Sequence, residues 1–313
     1  MSVQFEDVKI AHERIKDYIH RTPVLTSKTL NTIANAELFF KCENFQKAGA
    51  FKFRGATNAV FSLSNEEAQA GVVTHSSGNH AGALALAAKQ RGCPAYLVMP
   101  VNATKVKKEA VLGYGGKIIE CGTTMSSREE VVQQVIADTN AALIHPYNDE
   151  RIIAGQGTAT LELVEEIDDL DAVLAPVSGG GLLSGTAIAA KGLKKDILVY
   201  GCEPKNADDA YRSMQSGKLQ SIDNPQTIAD GLRASLGDKT FAIIKEFVDG
   251  IYLVTEEEII TAMKYLWERM KIVVEPSGSV GLAALLRSKP ELYGKRVGII
   301  LSGGNVDLGN LPF

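Results

Sequence analysis

One lysine set between two phenylalanines, in Phe51-Lys52-Phe53-Arg54-Gly55, offers the chain's most distinctive chemistry. Apolar neighbours hydrate an ammonium poorly, and desolvation leaves a free amine able to form a Schiff base with a carbonyl compound. The same residues also suit a strand with Phe51 and Phe53 inward and Lys52 in solvent, and that is the better reading of the stretch taken alone. Ser178-Gly179-Gly180-Gly181-Leu182-Leu183-Ser184-Gly185 is a second candidate. Its backbone N–H groups can close around phosphate oxygens where a helix begins. Consecutive glycines weaken a turn that has no such use for them, so an anion site is the better reading. Gly179-x-Gly181-x-x-Ser184 is one residue from a dinucleotide fingerprint, and Glu203 ends the next strand where such a fold places its ribose-binding acid. A nicotinamide-dependent oxidoreductase and a non-catalytic nucleotide-binding module are therefore alternatives.

Two further loops follow buried strands. Ser76-Ser77-Gly78-Asn79-His80 offers hydroxyls, N–H groups and an amide for a carboxylate or a ring oxygen, although an ordinary helix N-cap has the same composition. Leu301-Ser302-Gly303-Gly304-Asn305 brings a serine that could meet a ring nitrogen. Open α/β folds bind ligands at the carboxyl ends of their strands, so several such loops together carry more weight than each alone. Glu203 and Asp209, with a backbone carbonyl between them, could hold Mg²⁺ or Ca²⁺. A solvated acidic turn is the commoner origin of that spacing.

The elements that must position these groups follow from the hydrophobic pattern. Val8, Ala11, Ile15 and Tyr18 recur at helical spacing, predicting a helix over residues 6–19 that ends before Pro23. Residues 38–43 read as a strand and residues 55–63 as a helix. Strands over 71–75, 95–99, 117–120 and 142–144 then alternate with helical runs, the rhythm of a parallel sheet. A second set covers 172–177, 197–203, 251–254 and 297–301, with helices over 155–167, 182–193 and 255–270. Residues 204–240 read as partly irregular. The expected architecture is a two-lobed α/β fold, with a small lobe over 64–146 and a larger one combining 1–63 with 147–313.

Composition bounds the class. The chain has 313 residues, 45% hydrophobic and 22% charged, as in a globular protein. A net charge of −4 argues against a broad nucleic-acid surface. Cys42, Cys93, Cys121 and Cys202 form no C-x-x-C pair, and the acidic start of the chain is unlike a secretory signal, so reduced thiols and a cytoplasmic location are expected. No apolar run reaches the ~20 residues of a membrane span.

Taken together, the motifs F-K-F-R-G, S-S-G-N-H, G-Q-G-T, the glycine loop, E-P-x-N-A-D-D and S-G-G-N-V-D resemble the fold-type II pyridoxal-phosphate enzymes, in particular the serine racemase and serine/threonine dehydratase group. The resemblance spans nearly the whole chain and implies a tryptophan synthase β-subunit-like fold. It further implies that Lys52 holds pyridoxal 5'-phosphate with Phe51 beside it. Ser178, Gly179, Gly180, Gly181 and Leu182 would bind the phosphate, Asn79 the ring hydroxyl, and Ser302 would face the pyridine nitrogen. Ser76, Ser77, Asn79 and His80 would surround the substrate carboxylate. Ser77 would be the acid/base on the face opposite Lys52. Glu203, Asp209 and the Ala207 carbonyl would hold Mg²⁺, Mn²⁺ or Ca²⁺. The implied activity is serine racemisation with loss of water from L-serine or L-threonine-type substrates, and the alternative within the group is a threo-3-hydroxyaspartate ammonia-lyase. A homodimer is expected, and a regulatory domain after Phe313 is not. There are departures. Ala48-Gly49-Ala50 stands where T-G-S is common, Tyr147 replaces an asparagine, and Ser178 replaces the first of four glycines. A nucleotide-effector site is only partly matched: Ser27 and Lys47 fit it, while Ala48 and Gly82 replace its polar side chains, so activation by ATP is not expected.

Overall fold

The computed structural model describes residues 3–76, 78–103, 105–287 and 289–313, with only the backbone of Val106. Among these residues the strands are β1 (Val24–Leu25), β2 (Glu37–Cys42), β3 (Val72–His75), β4 (Ala95–Pro100), β5 (Lys117–Cys121), β6 (Ala142–Leu143), β7 (Ala172–Pro176), β8 (Leu198–Pro204), β9 (Gly250–Val254) and β10 (Arg296–Leu301). They form two sheets, with orders β1-β2-β10-β7-β8-β9 and β5-β4-β3-β6. Every pairing is parallel except β1 on β2. Buried parallel strands read as continuous apolar runs, and β7 (AVLAP) and β10 (RVGIIL) do so, the latter after its first residue.

The large sheet is completed by strands from opposite ends of the chain. Leu301 at the end of β10 stands beside Cys42 at the end of β2. This brings the loop after β10 against the lysine stretch. Phe51 donates its N–H to the Ser302 carbonyl at 2.9 Å, Gly304 donates to Gly49, and Ala50 bridges Gly303.

Lys52 is not on a strand, contrary to the reading that suits the stretch alone. It opens the helix Lys52–Phe61, three residues earlier than the pattern predicts. Ala48 and Gly49, with φ of 58° and 70°, turn the chain so that Ala50 runs extended and Phe51 enters the helix. This helix crosses the long helix Glu150–Glu166 at two glycines. A Cβ on Gly155 would lie 2.6 Å from Cα of Gly55, so the crossing requires both. Phe53, Ala56, Ala59 and Val60 pack with Leu84, Leu97 and Ile144, so the lysine helix shares its core with the small sheet.

Beneath Lys52 lies a cluster of buried charges. Arg54 gives two hydrogen bonds to Glu43, at 2.7 and 2.8 Å, and two to Glu162, both at 2.8 Å. Lys41 donates to Glu162 and to the Thr22 carbonyl, both at 2.7 Å, and Thr22 donates to Glu43 at 2.5 Å. All four charged side chains are at most 1% exposed. Two cations and two carboxylates cancel, which is the condition under which burial of charge is tolerated.

The short helices Lys28–Ala34 and Asn65–Ala70, and the longer Asp238–Phe247 and Pro276–Leu286, lie outside the predicted elements. No described helix is long and apolar enough to cross a membrane.

Candidate active site

The three glycine- or serine-bearing loops after β3, β7 and β10 converge on one cleft of about 310 Å³. Phe51, Lys52, Ser76, Asn79, His80, Ser178, Gly179, Gly180, Gly181, Leu182 and Ser302 all line it. Ser77 lies outside the described residues. This convergence puts the predicted ligand groups of distant sequence segments around one lysine.

Lys52 Nζ donates to the Pro146 carbonyl at 2.9 Å and lies 5.1 Å from the centre of the Phe51 ring. Burial without a carboxylate partner pulls its pKa down to about 8. The amine form needed for attack on a carbonyl is thereby accessible near neutral pH.

The glycine loop opens the helix Gly181–Leu193, whose N-terminus faces the cleft. Ser178 and Gly180 have φ of 55° and 88°, so the serine occupies a left-handed position that ordinarily favours glycine. A Cβ on Gly179 would lie 2.4 Å from the Tyr147 ring, and one on Gly180 would meet Leu236 and Thr240. Thr240 also donates to the Gly179 carbonyl at 2.8 Å. Tyr147 thus lies along the loop, and its ring stands perpendicular to that of His145 with centres 4.6 Å apart.

Asn79 and His80 begin the helix Asn79–Arg91. The His80 ring is only 2% exposed, with Nε2 placed 3.4 Å from the Ile144 carbonyl. That partner puts the proton on Nε2, and burial holds the ring neutral. His145 is neutral as well, its pKa lowered to about 4 by burial and by nearby His75 and Lys52. Its Nδ1 accepts the Asn148 N–H at 3.0 Å. No cation on either histidine competes with Lys52.

Glu275 is a site residue outside the predicted set. It sits at the N-cap of Pro276–Leu286, lines the cleft, and accepts a hydrogen bond from Asn79 Nδ2 at 2.8 Å. Burial, reinforced by Asp230, pushes its carboxyl up to about 8. Its signal was the Glu275-Pro276 pair, since proline favours the first helical position. Arg128 lines the cleft too, and its Nε is buried without a partner.

The residues suggested for a cation lie outside the cleft lining. Glu203 is 1% exposed, accepts the Tyr211 N–H at 2.8 Å through Oε1, and has no partner at Oε2. Burial and the nearby Asp209 and Asp208 push its carboxyl well up. Asp209 accepts the Leu236 N–H at 3.1 Å, and burial lifts it to about 6. Ala207 is buried beside them. Among the described residues no three His, Cys, Asp or Glu side chains are grouped for a metal. Glu203 therefore turns toward Tyr211 and does not serve as a ribose-binding acid at the cleft, contrary to the dinucleotide alternative.

A lysine amine at the mouth of a parallel-sheet cleft, facing a glycine-rich helix N-terminus and a buried serine, defines the fold-type II pyridoxal-phosphate architecture. The residues fit that cofactor: Gly179 and Gly180 admit no Cβ beside Tyr147, Leu236 and Thr240, so the loop meets a phosphate there through its backbone, and Lys52 is desolvated without being paired. A family model for pyridoxal-phosphate dependent enzymes matches residues 15–303. The chain is 57% identical over 309 residues to a serine racemase of Arabidopsis thaliana, covering 97% of this chain and 93% of that one. It is 52% identical over 309 residues to a beta-hydroxyaspartate dehydratase of Paracoccus denitrificans, covering 99% and 98%. The crystal structure of serine racemase from Dictyostelium discoideum superposes with a TM-score of 0.95 at 54% identity, covering 98% of this chain and all of that one. The chain belongs to the pyridoxal-phosphate dependent enzymes, within the serine racemase and dehydratase group.

Proposed function

We propose that this enzyme racemises serine and also removes water from L-serine, L-threonine or a similar β-hydroxy amino acid, releasing a keto acid and ammonia. The observation that carries this reading is the desolvated Lys52 amine at the meeting point of the three ligand loops. Bound pyridoxal phosphate supplies an electron sink for the electrons of the broken Cα–H bond. The chain's own residues supply the rest. The glycine loop and the N-terminus of its helix would hold the phosphate, Ser302 would meet the ring nitrogen, and Asn79 would meet the ring hydroxyl. Ser76, Ser77 and the first N–H groups of the Asn79–Arg91 helix hold the substrate carboxylate. His80 contributes its backbone, because its ring proton is directed at Ile144. Lys52 removes the α-proton on one face, and Ser77 exchanges a proton on the other.

We assign the cofactor and the N-terminal segment to a large lobe, 1–63 with 147–313, and the loop after β3 to a small lobe over 64–146. The protein is proposed to work in the cytoplasm as a homodimer without an ATP effector site, since Ala48 and Gly82 offer no polar side chain there. A second substrate reading, 3-hydroxyaspartate, is supported by the unpartnered Arg128 Nε at the cleft and by the Paracoccus relative.

Purified protein assayed on both enantiomers of serine, threonine and 3-hydroxyaspartate, for keto acid and for chirality, tests the activity. No turnover on any of them sinks it. Ser77→Ala is expected to lose racemisation and D-serine elimination by ~10²–10⁴-fold while keeping L-serine elimination. Proportional loss in all three reactions would reduce Ser77 to a carboxylate-binding role.

We also propose a divalent cation at Glu203, Asp209 and the Ala207 carbonyl. The buried, unpartnered Glu203 Oε2 supports it, as hard cations take carboxylate and carbonyl oxygens. Chelation is expected to lower activity and melting temperature, with Mg²⁺, Mn²⁺ or Ca²⁺ restoring both. Unchanged values in exhaustively chelated, metal-free protein would remove the cation from the account.

A further inference from the structure

Glu275 is buried against the cleft, yet neither Lys52 nor any arginine pairs with it. Its side chain is bound into a short chain of amides that crosses from one sheet's loops to the other's. Asn305 Nδ2 donates to the Ala48 carbonyl at 2.8 Å and to Asn79 Oδ1 at 3.0 Å. Both of its N–H groups are thereby committed, so the Ala48 carbonyl fixes which way the Asn305 amide faces. Asn79 in turn accepts through Oδ1 and donates through Nδ2 to Glu275 Oε1 at 2.8 Å. If the Asn79 amide flipped, its nitrogen would face the donor nitrogen of Asn305, which the Ala48 carbonyl holds in place, and that contact would be repulsive. In the orientation that Asn305 sets, Asn79 Nδ2 points to Glu275 Oε1, which accepts from it. One N–H of Asn79 is used on Glu275, and one remains.

Glu275 is itself held from several sides. Its backbone N–H donates to the Gly303 carbonyl at 3.0 Å, in the loop that carries Ser302. A Cβ on Gly303 would lie 2.6 Å from Glu275 Oε1, so the loop and the carboxyl are in close contact. Asn305 also gives a backbone hydrogen bond to the carboxyl. Asp230 and Lys107 are the other charged groups facing it, and they pair with each other at 2.8 Å. The carboxyl therefore has a fixed place and a specific amide partner, although it makes no ion pair.

We propose that Glu275 is a positioning residue for catalysis: with Asn305 it locks the Asn79 amide so that its second N–H is presented to the ring-hydroxyl oxygen of the cofactor. The proposal rests on the pyridoxal-phosphate reading of the cleft and on the assignment of Asn79 to that oxygen. A hydrogen bond to the ring oxygen changes how charge is shared between that oxygen and the Schiff-base nitrogen, so the lock has a spectroscopic consequence apart from turnover.

The test uses holoenzyme of the wild type, Glu275→Gln, Glu275→Ala, Asn79→Ala and the double variant Glu275→Ala/Asn79→Ala. The ratio of the visible to the near-ultraviolet absorption band, kcat and KM on L-serine, and the melting temperature of cofactor-free protein are measured for each. Glu275→Ala and Asn79→Ala are expected to shift the band ratio in the same direction and to lower kcat about tenfold, the equivalent of ~1.4 kcal/mol. The double variant should match Asn79→Ala alone, because the two residues act through one amide. Glu275→Gln keeps an accepting oxygen and should lie between the wild type and Glu275→Ala. If Glu275→Ala does not fold, Asn305→Ala replaces it in the same cycle. A wild-type band ratio in Glu275→Ala, or multiplicative losses in the double variant, overturns the proposal. Wild-type protein lacking a visible band that borohydride removes would overturn the cofactor reading itself, and so is told apart from a failure confined to Glu275.

Discussion

Two groups of buried charges meet at the first turn of one helix, through Lys52 and Arg54, and behave in opposite ways. Under the lysine helix, Arg54 and Lys41 meet Glu43 and Glu162 in a closed set of short hydrogen bonds. Although burial disfavours its charge, the two carboxylates push the Arg54 pKa up, and its partners hold Glu162 below the usual carboxylate range. In the cleft, Lys52 and Glu275 have no opposite charge in contact, and burial brings both to about 8. Pairing keeps charge on Arg54 and Glu162 and fixes structure, although burial still lowers the Lys41 pKa. Burial without pairing gives up charge near neutral pH and leaves a group able to exchange protons. Lys52 and Arg54 are two residues apart on one helix, so the same first turn supplies both an anchor and a reactive amine.

The sharpest way to break this comparison is to remove each cation in turn. Lys52→Ala takes away the proposed attachment point and the proposed α-proton base together. Turnover is expected to fall by on the order of 10⁴-fold or more. The melting temperature of the cofactor-free protein should be unchanged or slightly higher, since a desolvated, unpaired ammonium is lost. Circular dichroism and borohydride labelling check both parts. Substantial unfolding of Lys52→Ala would show that the amine belongs to the structural set after all.

Arg54→Leu should do the reverse. Glu43 and Glu162 would be left with a single cation, Lys41, between them. Breaking a buried pair in this way costs about 3–5 kcal/mol of stability. Denaturant unfolding of the cofactor-free protein measures it, and adding Glu43→Gln to Arg54→Leu should recover part of the loss by removing the stranded charge. A loss below about 1 kcal/mol, the range of exposed ion pairs, would mean that the cluster contributes little to the fold.

The sequence was most informative where chemistry needs a fixed residue type at a strand end. The glycine loop, Ser302 and Asn79 could be picked out because each follows an apolar run with residues that a plain turn does not need. The parallel sheets were legible for the same reason, since β4, β7 and β10 are nearly unbroken apolar runs. The helical start at Lys52 was not legible. It depends on Ala50 and Phe51 being held by Gly303 and Ser302, some 250 residues away. Glu275 escaped notice because a buried carboxyl looks like any surface glutamate until its neighbours are known. Its pairing with Asn79 joins positions 196 residues apart. The Arg54 cluster draws its carboxylates from β2's end and from Glu150–Glu166, and no local pattern marks them as partners. The helix Pro276–Leu286 was missed although it is buried on nearly every side, because an all-apolar helix has no amphipathic period to detect.

The smallest expected effect concerns pH and tests whether the unpaired groups titrate as their burial implies. Glu275 has a folded pKa raised from 4.5 to about 8. Between those values the folded chain keeps a proton that the unfolded chain has released. The stability that Glu275 contributes is therefore full below 4.5 and is lost as pH rises through about 8. Lys52 has the opposite sign, because its pKa falls from 10.5 to about 8. Between about 8 and 10.5 the unfolded chain holds the extra proton, so stability rises with pH there. In cofactor-free protein the two contributions meet near pH 8, where they jointly place a shallow minimum. Glu275→Gln should flatten the acid side of that minimum and Lys52→Met the alkaline side, each by on the order of a few degrees in melting temperature. Melting curves of the wild type and both variants across this range decide it. If Glu275→Gln leaves the acid-side slope unchanged, Glu275 is charged in the folded protein, and the contrast with the Arg54 cluster would then rest on Lys52 alone.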